Sequence, residues 1–202
     1  MTTGAVHIVG SRTFAGEVAD FARDAGLSIA GLLEPLDPDR IGTTIHDLPV
    51  KPLERPPDSD PRVIIGTGDP KRREIVERVA AAGWKPVSLI HPAAHLAPSV
   101  TVGEGALVGP GVVVGAYTTI GEHVVLGRGS LVGHHTTIGD FATLGPGANV
   151  AGNVQVGEDV FIGIGAVIRD HVTVGADAVV AMGAVVVGEV EAGAEVRGLP
   201  AR

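Results

Sequence analysis

From Leu89 onward the chain repeats every six residues, and this period constrains its fold more than any other feature. The second position of each hexad is Ile90, Leu96, Val102, Val108, Val114, Ile120, Leu126, Val132, Ile138, Leu144, Val150, Val156, Ile162, Ile168, Val174, Val180 and Val186, all aliphatic. The next position is mostly glycine, as at Gly103, Gly109, Gly115, Gly121, Gly127, Gly133, Gly139 and Gly145. The last is small or β-branched, as at Ala106, Val112, Thr118, Val124, Ala166 and Val172. Such self-similarity marks a solenoid. Each hexad supplies one short strand and one turn. The aliphatic residue points inward, and glycine is used where backbone is crowded. Three hexads make a triangular coil of eighteen residues, with coils stacking at about 4.8 Å. Residues eighteen apart are then vertical neighbours.

Composition agrees with that core. The hydrophobic fraction is 45% but aromatics are only 3%, and Gly is 30 of 202 residues. Cys is 0, which excludes a thiol nucleophile, a disulfide scaffold and cysteine-ligated metal. The net charge of −8 disfavours general nucleic-acid binding. The longest apolar run, 178–187, is too short to cross a bilayer, and the start MTTGAVHIVG lacks a basic leader. The expectation is a cytoplasmic protein without membrane insertion.

Residues 1–88 read as a separate α/β domain before the repeat of 89–202. Ala5–Val9 is a buried strand followed by Gly10, and Phe14–Ala25 has helical spacing. Leu27–Leu33 and Arg62–Ile65 are further strands. Asp69-Pro70 opens a helix to Ala82 as N-cap and N1, and Lys85–Ile90 is a last strand. Lys51–Pro61 reads as a loop. Strand–helix alternation predicts a parallel, Rossmann-like sheet.

The two halves together resemble the bacterial sugar acetyltransferases that act on UDP-4-amino-sugars, GDP-perosamine or sialic acid. The matching segments are Ile8-Val9-Gly10, Glu17-Val18, Gly66 to Asp69, Ile90-His91-Pro92, Gly133-His134-His135 to Asp140-Phe141, Ala151-Gly152-Asn153-Val154 and Gly198 to Arg202. The resemblance implies a left-handed parallel β-helix, a homotrimer, and acetyl-CoA in the cleft between two subunits, with no metal. Ile138-Gly139-Asp140-Phe141 aligns the family's base motif and puts the general base on His134. Gly152, eighteen residues on, stacks above it and offers its amide to the thioester oxyanion. Pantetheine contacts are expected from Gly163, Ile164, Ala181 and Met182, and a contact to the CoA tail from Arg202.

Some positions depart from the family pattern. His135 stands where a carboxylate is usual, and Thr143 where a second histidine is frequent. Tyr117, Asn153 or a main-chain carbonyl are the candidates for orienting His134. The turn Gly10-Ser11-Arg12-Thr13-Phe14-Ala15-Gly16 keeps only its first expected glycine. Gly10, Ser11, Arg12, Thr13, Glu34 and His135 are the expected acceptor-binding residues, for an acceptor that differs from the family's. Two other classes remain open: a non-catalytic scaffold, and a β-helical hydratase of carbonic anhydrase type using His123, His134, His135 or His171 on a metal. His7, His46 and His91 read as structural.

Overall fold

The computed structural model describes residues 5–57, 60–68 and 72–200. The chain forms two compact units, 1–91 and 92–202. The break falls three residues beyond the expected boundary at 88/89.

The first unit is α/β. Its elements are β1 (Val6–Val9), α1 (Thr13–Asp24), β2 (Ile29–Glu34), β3 (Thr44–Ile45), β4 (Leu48–Pro52), β5 (Arg62–Ile65), α2 (Arg72–Ala81) and β6 (Lys85–Pro86). The sheet order is β3-β4-β2-β1-β5-β6. All neighbours are parallel except β3 and β4. Val9, Leu33, Val63 and Ile65 share one apolar cluster with Ile75 and Val79 of α2 and with Trp84. Helix α1 buries Ala15, Val18, Ala19 and Ala22 and packs on β1 and β2.

The hairpin β3–β4 corrects the reading of Lys51–Pro61 as a loop, because Lys51 and Pro52 complete β4. Pro49 and Pro52 argue against a strand in sequence, yet Leu48 and Val50 are buried in strict alternation. The turn residues His46 and Asp47 have φ of 45° and 63°, the two-residue geometry that Asn-Gly normally signals. β2 also runs through Glu34, which therefore ends the strand instead of following it. Asp69 and Pro70 lie outside the described residues.

The second unit is a parallel β-helix of hexapeptide repeats. Its two-residue strands pair in register eighteen apart, as in Leu107↔Val125, Val113↔Leu131 and Thr119↔Thr137, forming three sheets. The inward aliphatic residues from Val108 to Val186 are all at most 3% exposed. Ile90, placed inward by the hexad count, is instead 41% exposed, and Leu96 and Val102 are half-buried, because no earlier coil covers them. In the last coil Val174↔Val190 and Val179↔Glu195 pair sixteen apart, so two residues are lost there.

Glycines at the third hexad position answer to crowding. A Cβ on Gly139 would lie 2.6 Å from the Glu158 amide nitrogen in the coil above. From Gly105 to Gly183 the left-handed corner comes at the fifth position of each hexad. There Tyr117, His123, His135, Phe141, Asn153, Asp159, His171 and Asp177 have φ between 55° and 60°.

Gly139→Ala should destabilise the helix by about 1–3 kcal/mol through overpacking. Gly188→Ala, which meets nothing within 4 Å, should leave the thermal midpoint unchanged; calorimetry of both variants checks this. His7, half-buried and edge-on to Trp84 at 5.0 Å, has its pKa lowered from 6.5, chiefly by burial, then by Lys51, against an opposing effect of Asp60. The unfolded chain therefore binds this proton first, and the stability that neutral His7 confers is lost as pH falls below about 6.5. The melting midpoint of wild type should drop more than that of His7→Gln between pH 7 and pH 5.

Candidate active site

His134 and His135 occupy one corner of the β-helix, between the strands Leu131–Val132 and Thr137–Ile138. The coil above is fixed there by the Asn153 N–H, which donates to the His134 carbonyl at 2.9 Å. The imidazole of His134 lies against the bare α-carbon of Gly152: a Cβ there would sit 2.9 Å from both Cε1 and Nε2. A side chain at this position would displace the ring. The Gly152 amide donates to no protein acceptor among the described residues. An exposed imidazole and an open main-chain donor thus share one small surface.

His134 Nδ1 is 3.0 Å from His135 Nδ1, with the rings nearly perpendicular at 86°. Tyr117 does not reach His134; its ring packs on His135 with centroids 5.0 Å apart. Asn153 contacts His134 through its main chain. Of the expected orienting groups, none makes a side-chain contact to His134 Nδ1, and the neighbouring histidine does.

Two buried hydroxyls shape this corner, and sequence reading missed them. In ordinary turns of the helix the fourth residue's N–H closes on the first residue's carbonyl, as Ala148 does on Gly145 at 3.1 Å and Ala166 on Gly163 at 3.2 Å. In the turn 133–136, Thr118 is inserted: it accepts from the Thr136 N–H at 3.4 Å and donates to the Gly133 carbonyl at 2.8 Å. In the turn 151–154, Thr136 accepts from the Val154 N–H at 3.3 Å and donates to the Ala151 carbonyl at 3.1 Å. Both threonines are 1% exposed. A trans peptide sets its C=O and N–H in opposite directions. Holding the Ala151 carbonyl inward therefore turns the Gly152 N–H outward, beside His134. The available signal was a polar residue at an inward position otherwise filled by Ala or Val.

A second feature lies within the first unit. A cavity of about 320 Å3 is lined by Gly10, Ser11 and Arg12 after β1, by Glu34 and Asp37 at the end of β2, and by Gly66 to Gly68 after β5. It sits at the carboxyl ends of parallel strands, where open α/β sheets bind ligands. Gly10 has φ of 117° and closely approaches the Gly66 carbonyl. Ser11 is buried, donates to Glu34 Oε2, and accepts from Arg40 Nε at 2.8 Å. Glu34 Oε1 accepts the N–H groups of Leu36 and Asp37 at 2.7 and 3.0 Å. Ser11 and Glu34 thus lock two loops together. Arg12 is exposed, and Asp37 also lines the cavity. Thr13 starts α1, is exposed, and is not among the lining residues.

Gly163, Ile164, Ala181 and Met182 gather at another corner. A Cβ on Gly163 would lie 2.5 Å from the Met182 nitrogen, and Ile164 and Met182 are exposed. The sheet containing Leu131–Val132, Asn149–Val150 and Val167–Ile168 separates that corner from His134. Arg202 lies outside the described residues. His91 Nε2 contacts Asp24 at 3.0 Å and its ring meets Phe21 edge-on. His123 is buried and stacks on Phe141, and His171 faces Asp170 at 3.7 Å. Among the described residues, no three His, Asp or Glu side chains form a metal-binding group.

Residues 117–152 and 153–188 match the family profile described as bacterial transferase hexapeptide (six repeats). No curated protein sequence matches the chain. Among solved structures it is similar to PerB from Caulobacter crescentus in complex with CoA and GDP-perosamine. That similarity has 31% identity and a TM-score of 0.89 over 100% of this chain and 97% of that one. The acetyltransferase domain of PglB from Neisseria gonorrhoeae in complex with acetyl coenzyme A matches at 30% identity and a TM-score of 0.87, over 98% of each chain. WeeI from Acinetobacter baumannii matches at 29% identity and a TM-score of 0.90, over 98% of each.

Thr136→Val should cost about 1–3 kcal/mol by leaving the Ala151 carbonyl and Val154 N–H unpaired, whereas Thr136→Ser keeps the bridge. A midpoint for Thr136→Val equal to wild type in denaturant unfolding would mean that the turn closes without the hydroxyl.

Proposed function

This chain belongs to the bacterial sugar acetyltransferases built on hexapeptide repeats, and we propose that it moves the acetyl group of acetyl-CoA onto the amine of a nucleotide-linked amino sugar. The observation that carries the reading is the stacking of His134 beneath Gly152, with the imidazole against the glycine α-carbon and the glycine amide open. Relatives solved with CoA, acetyl-CoA and GDP-perosamine support it. That the named relatives include a perosamine N-acetyltransferase favours an amine over a hydroxyl acceptor.

Direct attack is the step these groups can serve. His134 Nε2 removes a proton as the acceptor nitrogen forms its bond to the acetyl carbon. The Gly152 N–H donates to the oxygen as it gains negative charge. Collapse breaks the carbon–sulfur bond, and the CoA thiolate leaves and takes the proton. The chain has no cysteine to carry an acyl group.

We read the first unit as a Rossmann-like acceptor domain. Its cavity takes the nucleotide, with the exposed Arg12 suited to a diphosphate. The lock between Ser11 and Glu34 fixes the walls of that cavity, so these two residues shape it more than they bind. A homotrimer is supported by the outer face of one sheet, where Val113, Leu131 and Val167 are 40–42% exposed. The corresponding positions of another sheet are Thr101, Thr119, Thr137, Gln155 and Thr173. A CoA lying between two subunits would bring the corner of Gly163, Ile164, Ala181 and Met182 to the neighbour's His134, with Arg202 toward the CoA tail. Acetyl-CoA as donor makes the cytoplasm the expected compartment.

The test is release of free CoA from acetyl-CoA with a panel of GDP- and UDP-linked amino sugars. One acceptor should turn over, and His134→Ala should lower kcat by about 10²–10⁴ while calorimetry finds CoA binding retained. Unchanged kcat in that variant would remove His134 from the chemistry, and absence of CoA binding in wild type would remove the acetyltransferase reading.

A further inference from the structure

We propose that His135 is the positioning residue of the base: its Nδ1 lone pair accepts the Nδ1 proton of His134, so that His134 presents Nε2 as a proton acceptor. The inference rests on the reading of His134 as base. It accounts for how this site works without a carboxylate beside that base.

The geometry leaves few arrangements. The two Nδ1 atoms are 3.0 Å apart, so one proton lies between them. A neutral pair has one other ring proton. It sits on His135 Nε2, leaving His134 Nε2 able to accept, or on His134 Nε2, which blocks it. Once the pair gains a third proton, all positions are filled, and His134 Nε2 is protonated whichever ring first took the charge. A carboxylate behaves differently. It only accepts, so it enforces the productive tautomer. Its negative charge also holds the imidazolium and raises the pKa of the base. A neutral imidazole provides the acceptor without the charge.

The surroundings add little charge to the pair. Tyr117 packs on His135 from the coil below, with Ser99 accepting the Tyr117 N–H. Gly152 and Asn153 face the pair from the coil above. Asp170 stands one coil further on the same corner and is directed to His171 at 3.7 Å. During turnover, the proton taken at His134 Nε2 makes that ring a cation whose Nδ1–H strengthens its bond to His135. The charge is shared until the proton passes to the departing thiolate.

The test compares the pH profile of kcat for wild type, His135→Phe, His135→Asp, His135→Glu and His134→Ala, with the KM for acetyl-CoA alongside. The corner already accommodates Phe141, Asp159 and Asp177 at φ between 55° and 60°, so Phe and Asp suit this backbone. His135→Phe should lower kcat by about 10-fold at pH 8.5 with the KM for acetyl-CoA held within about twofold, a loss at the lower end of what removal of a ligand-orienting partner costs. At least one carboxylate variant should recover that kcat and move the acid limb upward by about one pH unit. A wild-type kcat in His135→Phe, or acid limbs that coincide with wild type in both carboxylate variants, would overturn the proposal. Activity retained in His134→Ala would overturn it together with the base it serves. Activity lost in His134→Ala but unmoved in every His135 variant would overturn this inference alone.

Discussion

Register is the constraint on which this molecule depends. Up to the last coil, each inner strand of the β-helix pairs with those eighteen residues before and after it, and main-chain hydrogen bonds of 2.7–3.2 Å tie coil to coil. A one-residue slip would turn every inward aliphatic outward, so the buried column from Val108 to Val186 enforces the register along its length. That register is what sets His134 beneath Gly152. The proposed acetyl transfer needs an imidazole nitrogen and an amide donor within a few ångströms of one carbonyl. The fold meets this with two residues far apart in sequence and adjacent in the stack.

Local adjustments on that frame distinguish the candidate site from other corners. Thr118 and Thr136 enter two successive turns and replace their closing hydrogen bonds. The hydroxyls are buried and satisfied, which makes them rigid, and they govern the peptides that precede His134 and Gly152. The corner residue His135 has left-handed backbone, and its ring meets that of its predecessor. In the first unit, a similar economy ties Ser11, Glu34 and Arg40 into a lock around the cavity, leaving Arg12 exposed at its rim.

Much of this was legible in the sequence, because a solenoid makes spacing equal to position. The hexads gave the coil, the coil gave the vertical neighbours, and the motif ending at Phe141 identified the corner. What escaped depended on side-chain direction. Thr118 and Thr136 read as β-branched fillers, since nothing in a sequence tells which way a hydroxyl turns. His135 read as a substrate contact, and its ring contact to His134 Nδ1 was not visible in the spacing. The β3–β4 hairpin was hidden by two prolines and by a His-Asp turn in place of Asn-Gly. Ile90 fit the hexad period but had no coil to cover it.

The central claim is that the acetyl carbonyl reacts between His134 and Gly152. A crystal structure with acetyl-CoA and a nucleotide sugar lacking the amine would test it most directly. The thioester oxygen should lie about 3 Å from the Gly152 nitrogen, with the acetyl carbon on the same side as His134 Nε2. Acetyl-CoA bound with its thioester at another corner, and the Gly152 amide facing only water, would contradict the account.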